Sequence, residues 1–80
     1  MSTMAIDKTA KSMARRLGEN VAALIEKKGM TKKEVADAAG INRQFLWEVL
    51  RGEHVINFAG MKKIADALGV TMDSLLEDRP

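Results

Sequence analysis

The chain has 80 residues, a formal net charge of +2, no cysteine and one histidine, His54. This length allows one small domain, and the lack of cysteine excludes disulfides, thiolate catalysis and cysteine-ligated zinc, so no metal or cofactor is expected beside a lone histidine. No apolar run is long enough for a signal peptide or a membrane-spanning helix, and we therefore expect a cytoplasmic protein without a membrane partner.

Five helices and no strands are predicted, because apolar residues recur at helical spacing and hairpin signals are missing. Proline occurs only at position 80, and a glycine follows four of the apolar segments, where helices commonly end in left-handed backbone. The predicted helices cover approximately residues 9–28, 32–39, 43–51, 58–68 and 72–77. Residues 1–8 are predicted to form a mobile N-terminal arm, and residues 9–80 a single domain.

The first predicted helix lies in the part of the chain that carries the positive charge. Residues 1–33 hold eight Lys or Arg against three acidic residues, whereas the rest of the chain is net acidic. This asymmetry suits a polyanionic partner, although a basic face exposed only to water is the alternative. Lys11, Arg15 and Arg16 are therefore candidates for contacts with phosphate groups.

Gly18 and Gly60 lie inside predicted helices, where glycine costs about 1 kcal/mol relative to alanine. A close approach of a second helix would explain either residue. For Gly18, another explanation is that the helix begins later and that residues 8–16 form a separate arm. We predict the continuous first helix.

The later helices have recognisable N-terminal signals. The sequence "TKKE" over Thr31–Glu34 has the pattern of a capping box, and Asn42, Asn57 and Thr71 are predicted N-caps. The apolar positions of the five helices predict the core, which consists of Leu17, Val21, Leu24, Ile25, Val35, Ala36, Ala39, Phe45, Leu46, Val49, Leu50, Met61, Ile64, Ala65, Leu68, Leu75 and Leu76.

The segment Lys32–Arg51 has the residue spacing of a helix-turn-helix. Its fifth residue, Ala36, is small where two helices would cross, and its ninth, Gly40, suits a turn with positive φ. Apolar residues occupy the other inward positions of the motif: Val35, Ala39, Ile41, Leu46 and Val49. The alternative is that two short helices merely meet at a glycine, which would make the joint match accidental.

Two stretches, "LGENVAALIEKKGMTKKEVADAAGINRQFLWEVLRG" and "MKKIADALGVTMDSLL", resemble the Cro and lambda-repressor type helix-turn-helix domains known as the XRE family. The resemblance covers about Leu17–Leu76. It implies an all-α fold, a five-helix lambda-repressor-like bundle, whose third helix enters the major groove of double-stranded DNA.

The resemblance assigns Arg43, Gln44 and Glu48 to positions that usually read bases. Their chemistry agrees, since arginine pairs with guanine O6 and N7, glutamine pairs with adenine N6 and N7, and glutamate accepts from cytosine N4. The alternative for Arg43 and Gln44 is that they are solvated helix residues. For Glu48 the alternative is repulsion of wrong sites.

The resemblance also implies contacts with the DNA backbone. Lys32 matches a position usually held by a phosphate-contacting glutamine, and Arg51 matches a polar position near the backbone. Lys33, beside Lys32, and Asn42, at the start of the third helix, complete the predicted phosphate contacts, since helix N-termini attract phosphates.

Three features depart from the family pattern. The loop after the third helix reads "EHVIN" where basic residues are common, Leu50 replaces a commonly acidic residue, and Trp47 replaces a small polar one. Trp47 has three interpretations: a core flank shared with Leu50, a contact with a thymine methyl or sugar edge, or a protein–protein contact. We predict the core flank and keep Trp47 among the candidate base-contacting residues.

The expected function is that of a sequence-specific transcriptional repressor, a phage or plasmid type of regulator associated with the nucleoid, which binds a two-fold symmetric operator as a homodimer. The segment "INRQFLWEVLRG" also resembles the recognition segment of HigA-type antitoxins, so a protein that binds both DNA and a toxin partner is the alternative. A scaffold that makes only protein contacts is a third class. An enzyme is not expected, because His54 has no paired nucleophile or pocket signature beside it.

Overall fold

The computed structural model describes residues 2–54 and 56–77, with side chains from residue 11 onward. Within these residues the chain forms five α-helices and no strand. The helices are α1 (Ser2–Lys27), α2 (Lys32–Ala39), α3 (Arg43–Leu50), α4 (Phe58–Leu68) and α5 (Met72–Leu76). No helix of the described part is long and apolar enough to cross a membrane.

The predicted bounds of α2 and α4 are confirmed, and α3 and α5 each end one residue earlier than predicted. The predicted start of the first helix near residue 9 is wrong, because α1 already includes residues 2–8. That segment lacks one of the usual signals of a helix start, since the first turn carries no acidic residue. The mobility of residues 1–8 stays a prediction, and Met1 lies outside the described residues.

The continuous path of α1 through Gly18 is confirmed, and the close approach of a second helix explains this glycine. A Cβ atom at Gly18 would lie 2.5 Å from the carbonyl oxygen of Val49 and 2.8 Å from that of Leu50. Real side chains do not approach a backbone oxygen so closely, so only glycine lets α1 pass the end of α3 at this distance. The same explanation does not apply to Gly60, whose nearest neighbours belong to its own N-cap segment, with Asn57 Oδ1 at 3.4 Å.

The core draws side chains from all five helices. Its largest fully buried members are Leu46, Ile64, Leu75, Val21, Val35 and Val49. Most predicted core residues are confirmed, and the others are partly buried residues packed against the core: Leu24, Phe45, Leu50, Met61 and Leu76. Among the described residues, two buried apolar residues were not predicted, Ala14 and Ile56. Ile56 lies in an irregular segment without periodicity, and Ala14 gives only a weak apolar signal one turn before Leu17.

A buried amide ties the last helix to the first. Asn20 of α1 is only 4% exposed, and its Nδ2 donates to the carbonyl oxygens of Leu75 and Glu77, each at 2.8 Å. These carbonyls lie at the C-terminal end of α5, where no intrahelical partner is available. The Asn20 amide N–H groups and the end of α5 therefore satisfy one another, and removal of the side chain would leave the buried carbonyl of Leu75 without this donor.

We predict that Gly18→Ala lowers the free energy of unfolding by about 1 to 3 kcal/mol, because the added methyl group overpacks the contact between α1 and α3. Alanine ordinarily stabilises a helix relative to glycine, so the sign of the effect is diagnostic. Gly60→Ala is the matched control, since its Cβ would make only ordinary contacts, and it should be neutral or slightly stabilising. Urea denaturation measures both, and a Gly18→Ala protein as stable as the parent would contradict the close contact.

Candidate nucleic-acid interface

Short-range hydrogen bonds set where α2 and α3 begin. Thr31 N–H donates to Glu34 Oε1 at 2.8 Å, and Glu34 N–H donates to Thr31 Oγ1 at 3.1 Å, which confirms the capping box. The Asn42 side chain accepts from Gln44 N–H at 2.6 Å. Each helix therefore starts at a residue that satisfies its otherwise free N–H groups.

The turn between the two helices takes the form that the glycine predicts. Gly40 has φ of +69°, and the N–H of the next residue, Ile41, donates to Ala36 O at 3.0 Å. This hydrogen bond closes the end of α2 and redirects the chain into α3. On the inner side Val35, Ala36, Leu46 and Val49 are completely buried, so the helix-turn-helix spacing is confirmed in the fold.

The outer side of α3 presents the predicted base-contacting residues. Arg43 and Gln44 are exposed in its first turn, whereas Trp47 and Glu48 are half-buried one turn later. Arg43 forms no ion pair with any carboxylate among the described residues. Its guanidinium therefore has its donors available to an acceptor from outside the chain.

A chain of hydrogen bonds links three side chains beside Arg43. Gln44 Nε2 donates to Glu48 Oε2 at 3.1 Å, and His54 Nε2 lies 2.6 Å from Glu48 Oε1. The imidazole of His54 also contacts the Phe45 ring, with a centroid separation of 5.3 Å. We call Gln44, Glu48 and His54 the α3 polar chain. His54 was not predicted as a partner of Glu48, and only the four-residue spacing of Gln44 and Glu48 signalled any part of the α3 polar chain.

The α3 polar chain keeps Glu48 ionised. The hydrogen bond from Gln44, followed by that from His54, lowers the pKa of the Glu48 carboxyl below its ordinary value of 4.5. Both bonds favour the charged form, because an ionised carboxylate only accepts hydrogen bonds. Glu48 therefore stands as a carboxylate with a protein donor on each oxygen.

Trp47 lies beside the start of α2. The ammonium group of Lys32 is 5.8 Å from the centroid of the Trp47 ring, within the range of a cation–π contact. The ring is half-buried and packs against the core, as the core-flank interpretation predicts. This contact also brings Lys32, the predicted phosphate-contacting residue of α2, alongside the outer side of α3.

Arg51 forms a bidentate pair with Glu53. Its Nε and Nη2 donate to the two carboxylate oxygens at 3.1 and 3.2 Å, and this hydrogen bonding raises the pKa of Arg51. Both side chains are about half exposed, so the pair contributes little stability. A phosphate at Arg51 would share the guanidinium with Glu53 or replace it, and Glu53 is the acidic residue of the loop that departs from the family pattern.

The remaining predicted phosphate contacts lie on two sides of α3. Lys33 and Asn42 are exposed at the starts of α2 and α3, and Lys11, Arg15 and Arg16 are exposed on α1. A Cβ atom at Gly52 would lie 3.1 Å from Arg15 Cα, which puts this turn of α1 at the C-terminal end of α3. The basic residues of α1 are therefore separate from Arg43 and Gln44 at the N-terminal end.

We predict that the Glu48 carboxyl titrates below 4.5 and that Gln44→Ala raises its midpoint, because the bond from Gln44 is the largest cause of the shift. A carboxyl whose pKa is lowered by folding stabilises the fold above its unfolded value, and this contribution is lost as pH falls through the folded value. The Glu48→Gln protein should lack that part of the acid dependence. Carboxyl carbon chemical shifts report the midpoint directly.

Lys62→Ala is the control for the titration, because it removes a similar exposed hydrogen bond to Asp66 on α4. It should leave the Glu48 midpoint where it is. If the Glu48 midpoint were the same in Gln44→Ala as in the parent, the result would contradict the hydrogen bond between Gln44 and Glu48.

For Trp47→Ala we expect a loss of about 2 kcal/mol in the free energy of unfolding, below the 3–5 kcal/mol typical of fully buried aromatic residues, because the ring is half-buried. Phe58→Ala removes an aromatic ring that is 71% exposed and should change stability by no more than about 0.5 kcal/mol. Equilibrium unfolding in urea compares the two. Equal midpoints for Trp47→Ala and the parent would show that the ring does not support the core.

Comparisons with known proteins agree with this geometry. A family model described as helix-turn-helix, HTH_3, matches residues 21–75. No curated protein matches the chain. Among solved structures, the hypothetical transcription factor NHTF from Neisseria is 29% identical, with 81% of this chain and 75% of that one covered and a TM-score of 0.77.

Two further crystal structures are similar. The clp gene regulator ClgR from C. glutamicum is 25% identical, with 80% of this chain and 83% of that one covered and a TM-score of 0.76. The restriction-modification controller protein C.AhdI from Aeromonas hydrophila is 24% identical, with 78% of this chain and 94% of that one covered and a TM-score of 0.75. This similarity supports the fold. With the family match over most of its length, this chain belongs to the HTH_3, or XRE-type, helix-turn-helix family of DNA-binding transcriptional regulators.

Proposed function

We propose that this regulator is a repressor that binds a two-fold symmetric operator as a homodimer and reads bases through the first turn of α3. The observation that carries the proposal is the pair of exposed side chains, Arg43 and Gln44, on a helix whose start and inner face are held firmly. Arg43 offers a planar fork of donors, which suits guanine O6 and N7. Gln44 offers a donor and an acceptor, which suits adenine.

Contacts with the DNA backbone supply the sequence-independent part of the affinity. Lys32, Lys33 and Asn42 lie at the N-terminal ends of α2 and α3, where the helix dipole adds partial positive charge. Lys11, Arg15 and Arg16 reach phosphates on the other side of the groove, beside the C-terminal end of α3. Arg51 contacts a phosphate through the N–H groups that Glu53 does not engage, or in exchange with Glu53.

Two features support the homodimer: the size of one α3 and the exposure of large apolar side chains. A single short helix reads only a few base pairs, and two copies read a symmetric site of useful length. The described large apolar residues that remain exposed are Phe58, at 71%, and Met13, at 45%, and a second copy would bury them. The toxin-binding alternative stays a prediction with a distinct observable, a toxin that copurifies with the chain.

Selection from random duplexes followed by footprinting tests the proposal. The expected site is symmetric, with half-sites about 34 to 36 Å apart. Arg43→Ala and Gln44→Ala should each lose about 1 to 3 kcal/mol on that site and relax the preference at one or two base pairs, with little change on random DNA. Each removes a base contact and no core contact.

Lys33→Ala is the matched control, because it removes a neighbouring exposed cation that has no base-reading role in the proposal. Its loss of affinity should be similar on the selected site and on random duplexes. If Arg43→Ala and Gln44→Ala behaved like Lys33→Ala, base reading by α3 would be refuted.

A further inference from the structure

We propose that Glu48 and His54 are positioning residues, which hold the Gln44 amide so that it reads adenine and rejects guanine. This inference rests on the proposed base-reading role of Gln44 and deepens it. Glu48 then acts through Gln44, in contrast to the sequence-based expectation that it accepts a hydrogen bond from cytosine.

The orientation of the Gln44 amide follows from its partner. An exposed glutamine ordinarily samples many rotamers, and its amide can turn over. A carboxylate oxygen can only accept, so Nε2 of Gln44, and not its carbonyl oxygen, must face Glu48 Oε2. The 3.1 Å hydrogen bond therefore selects one rotamer and one orientation of the amide.

The groups that remain on Gln44 match one base. One N–H is engaged with Glu48, which leaves the second N–H and the carbonyl oxygen, a single donor beside a single acceptor. Adenine presents the complementary pair, with N7 as acceptor and N6 as donor. Guanine presents two acceptors, O6 and N7, so the one free N–H can satisfy only one of them and the carbonyl oxygen finds no donor. The bond to Glu48 thus removes the second donor that guanine could use.

Glu48 needs a second support, because an exposed carboxylate would otherwise move with Gln44. That support is His54, whose Nε2 lies 2.6 Å from Glu48 Oε1 and acts as the donor, since the ionised carboxylate accepts. A hydrogen bond to an ionised carboxylate is charge-assisted and stronger than one between neutral groups. Both oxygens of Glu48 therefore have protein donors before any DNA arrives.

The imidazole is in turn held by the protein interior. Its ring lies 5.3 Å from that of Phe45 at an interplanar angle of 38°, and Phe45 packs against the buried core. Contacts thus run from the core through Phe45, His54 and Glu48 to the Gln44 amide. The orientation is set by the folded chain in advance, which avoids the entropy cost of ordering a free glutamine on DNA.

The test compares the parent with His54→Ala on the selected site and on the same site with guanine in place of the adenine at the Gln44 position. We expect His54→Ala to lose about threefold to tenfold of the adenine preference, the ratio that corresponds to one net hydrogen bond. Affinity for random duplexes should stay within about twofold. His54→Gln, whose amide N–H can still reach Glu48, should recover most of the preference.

Two further variants isolate the pathway. In a Gln44→Ala background, His54→Ala should have no additional effect on base preference, because the group it positions is absent. Glu48→Ala should reproduce the loss seen with His54→Ala, and it serves as the second route if His54→Ala folds poorly. Glu53→Ala is the matched control in the same loop, since Glu53 bonds to Arg51 and its loss should alter affinity alike on all sequences.

A measurement on the free protein separates this inference from the proposed function. The side-chain amide resonances of Gln44 should move toward those of a solvated glutamine in His54→Ala and return in His54→Gln. A parent that prefers one site, with His54→Ala unchanged in both base preference and amide resonances, overturns the positioning role alone. A parent that binds all duplexes equally overturns the proposed function and this inference with it.

Discussion

The position of α3 depends on the contact between Gly18 of α1 and the carbonyl oxygens of Val49 and Leu50. A Cβ at Gly18 would approach these oxygens to 2.5 and 2.8 Å, so the two helices cross as closely as their backbones allow. At its other end, α3 is fixed by the turn at Gly40 and the cap at Asn42. Because contacts hold α3 at both ends, the helix cannot shift along its axis without breaking one of them. The backbone positions of its outward residues are fixed in the same way.

The two sides of α3 perform different tasks. Its inner residues, Leu46 and Val49, are completely buried and supply the apolar contacts that small domains need for stability. Its outer residues make hydrogen bonds that contribute little to stability at an exposed surface, but that select rotamers. Phe45 connects the two sides, since it packs against the core and also contacts His54. Specificity in such a site depends on surface side chains whose conformations are held by contacts with the core.

The charge on this protein is distributed differently around the two ends of α3. Lys32 and Lys33 are cationic residues in the first turn of α2, whereas Arg15 of α1 lies near the C-terminal end of α3. At this end, Arg51 is paired with Glu53 in the loop that follows α3. Under the proposed function, α1 would replace that loop as the source of phosphate contacts at this end. Helix α1 would then stabilise α3 and attract DNA beside it.

The amino-acid sequence by itself determined the features that depend on neighbours in the chain. The bounds of α2, the caps at Thr31, Asn42 and Asn57 and the turn at Gly40 were predicted because capping and left-handed turns involve residues only a few positions apart. Exposure of Arg43 and Gln44 followed from helical periodicity, and the helix-turn-helix followed from the spacing of inward residues, whereas the family was expected from a resemblance. The start of α1, whose first turn carries no acidic residue, was predicted wrongly.

Only the tertiary structure decided the contacts between segments that are distant in sequence or lack periodicity. The bonds from Asn20 to Leu75 and Glu77 join residues that are 55 and 57 positions apart in the sequence, and Ile56 is a buried residue of an irregular segment. The partnership of Glu48 with His54 depends on how the chain turns back after Gly52, and that turn is packed against Arg15 of α1. Local rules predict which side chains a helix presents, whereas the orientation of those side chains depends on whatever the rest of the fold brings next to them.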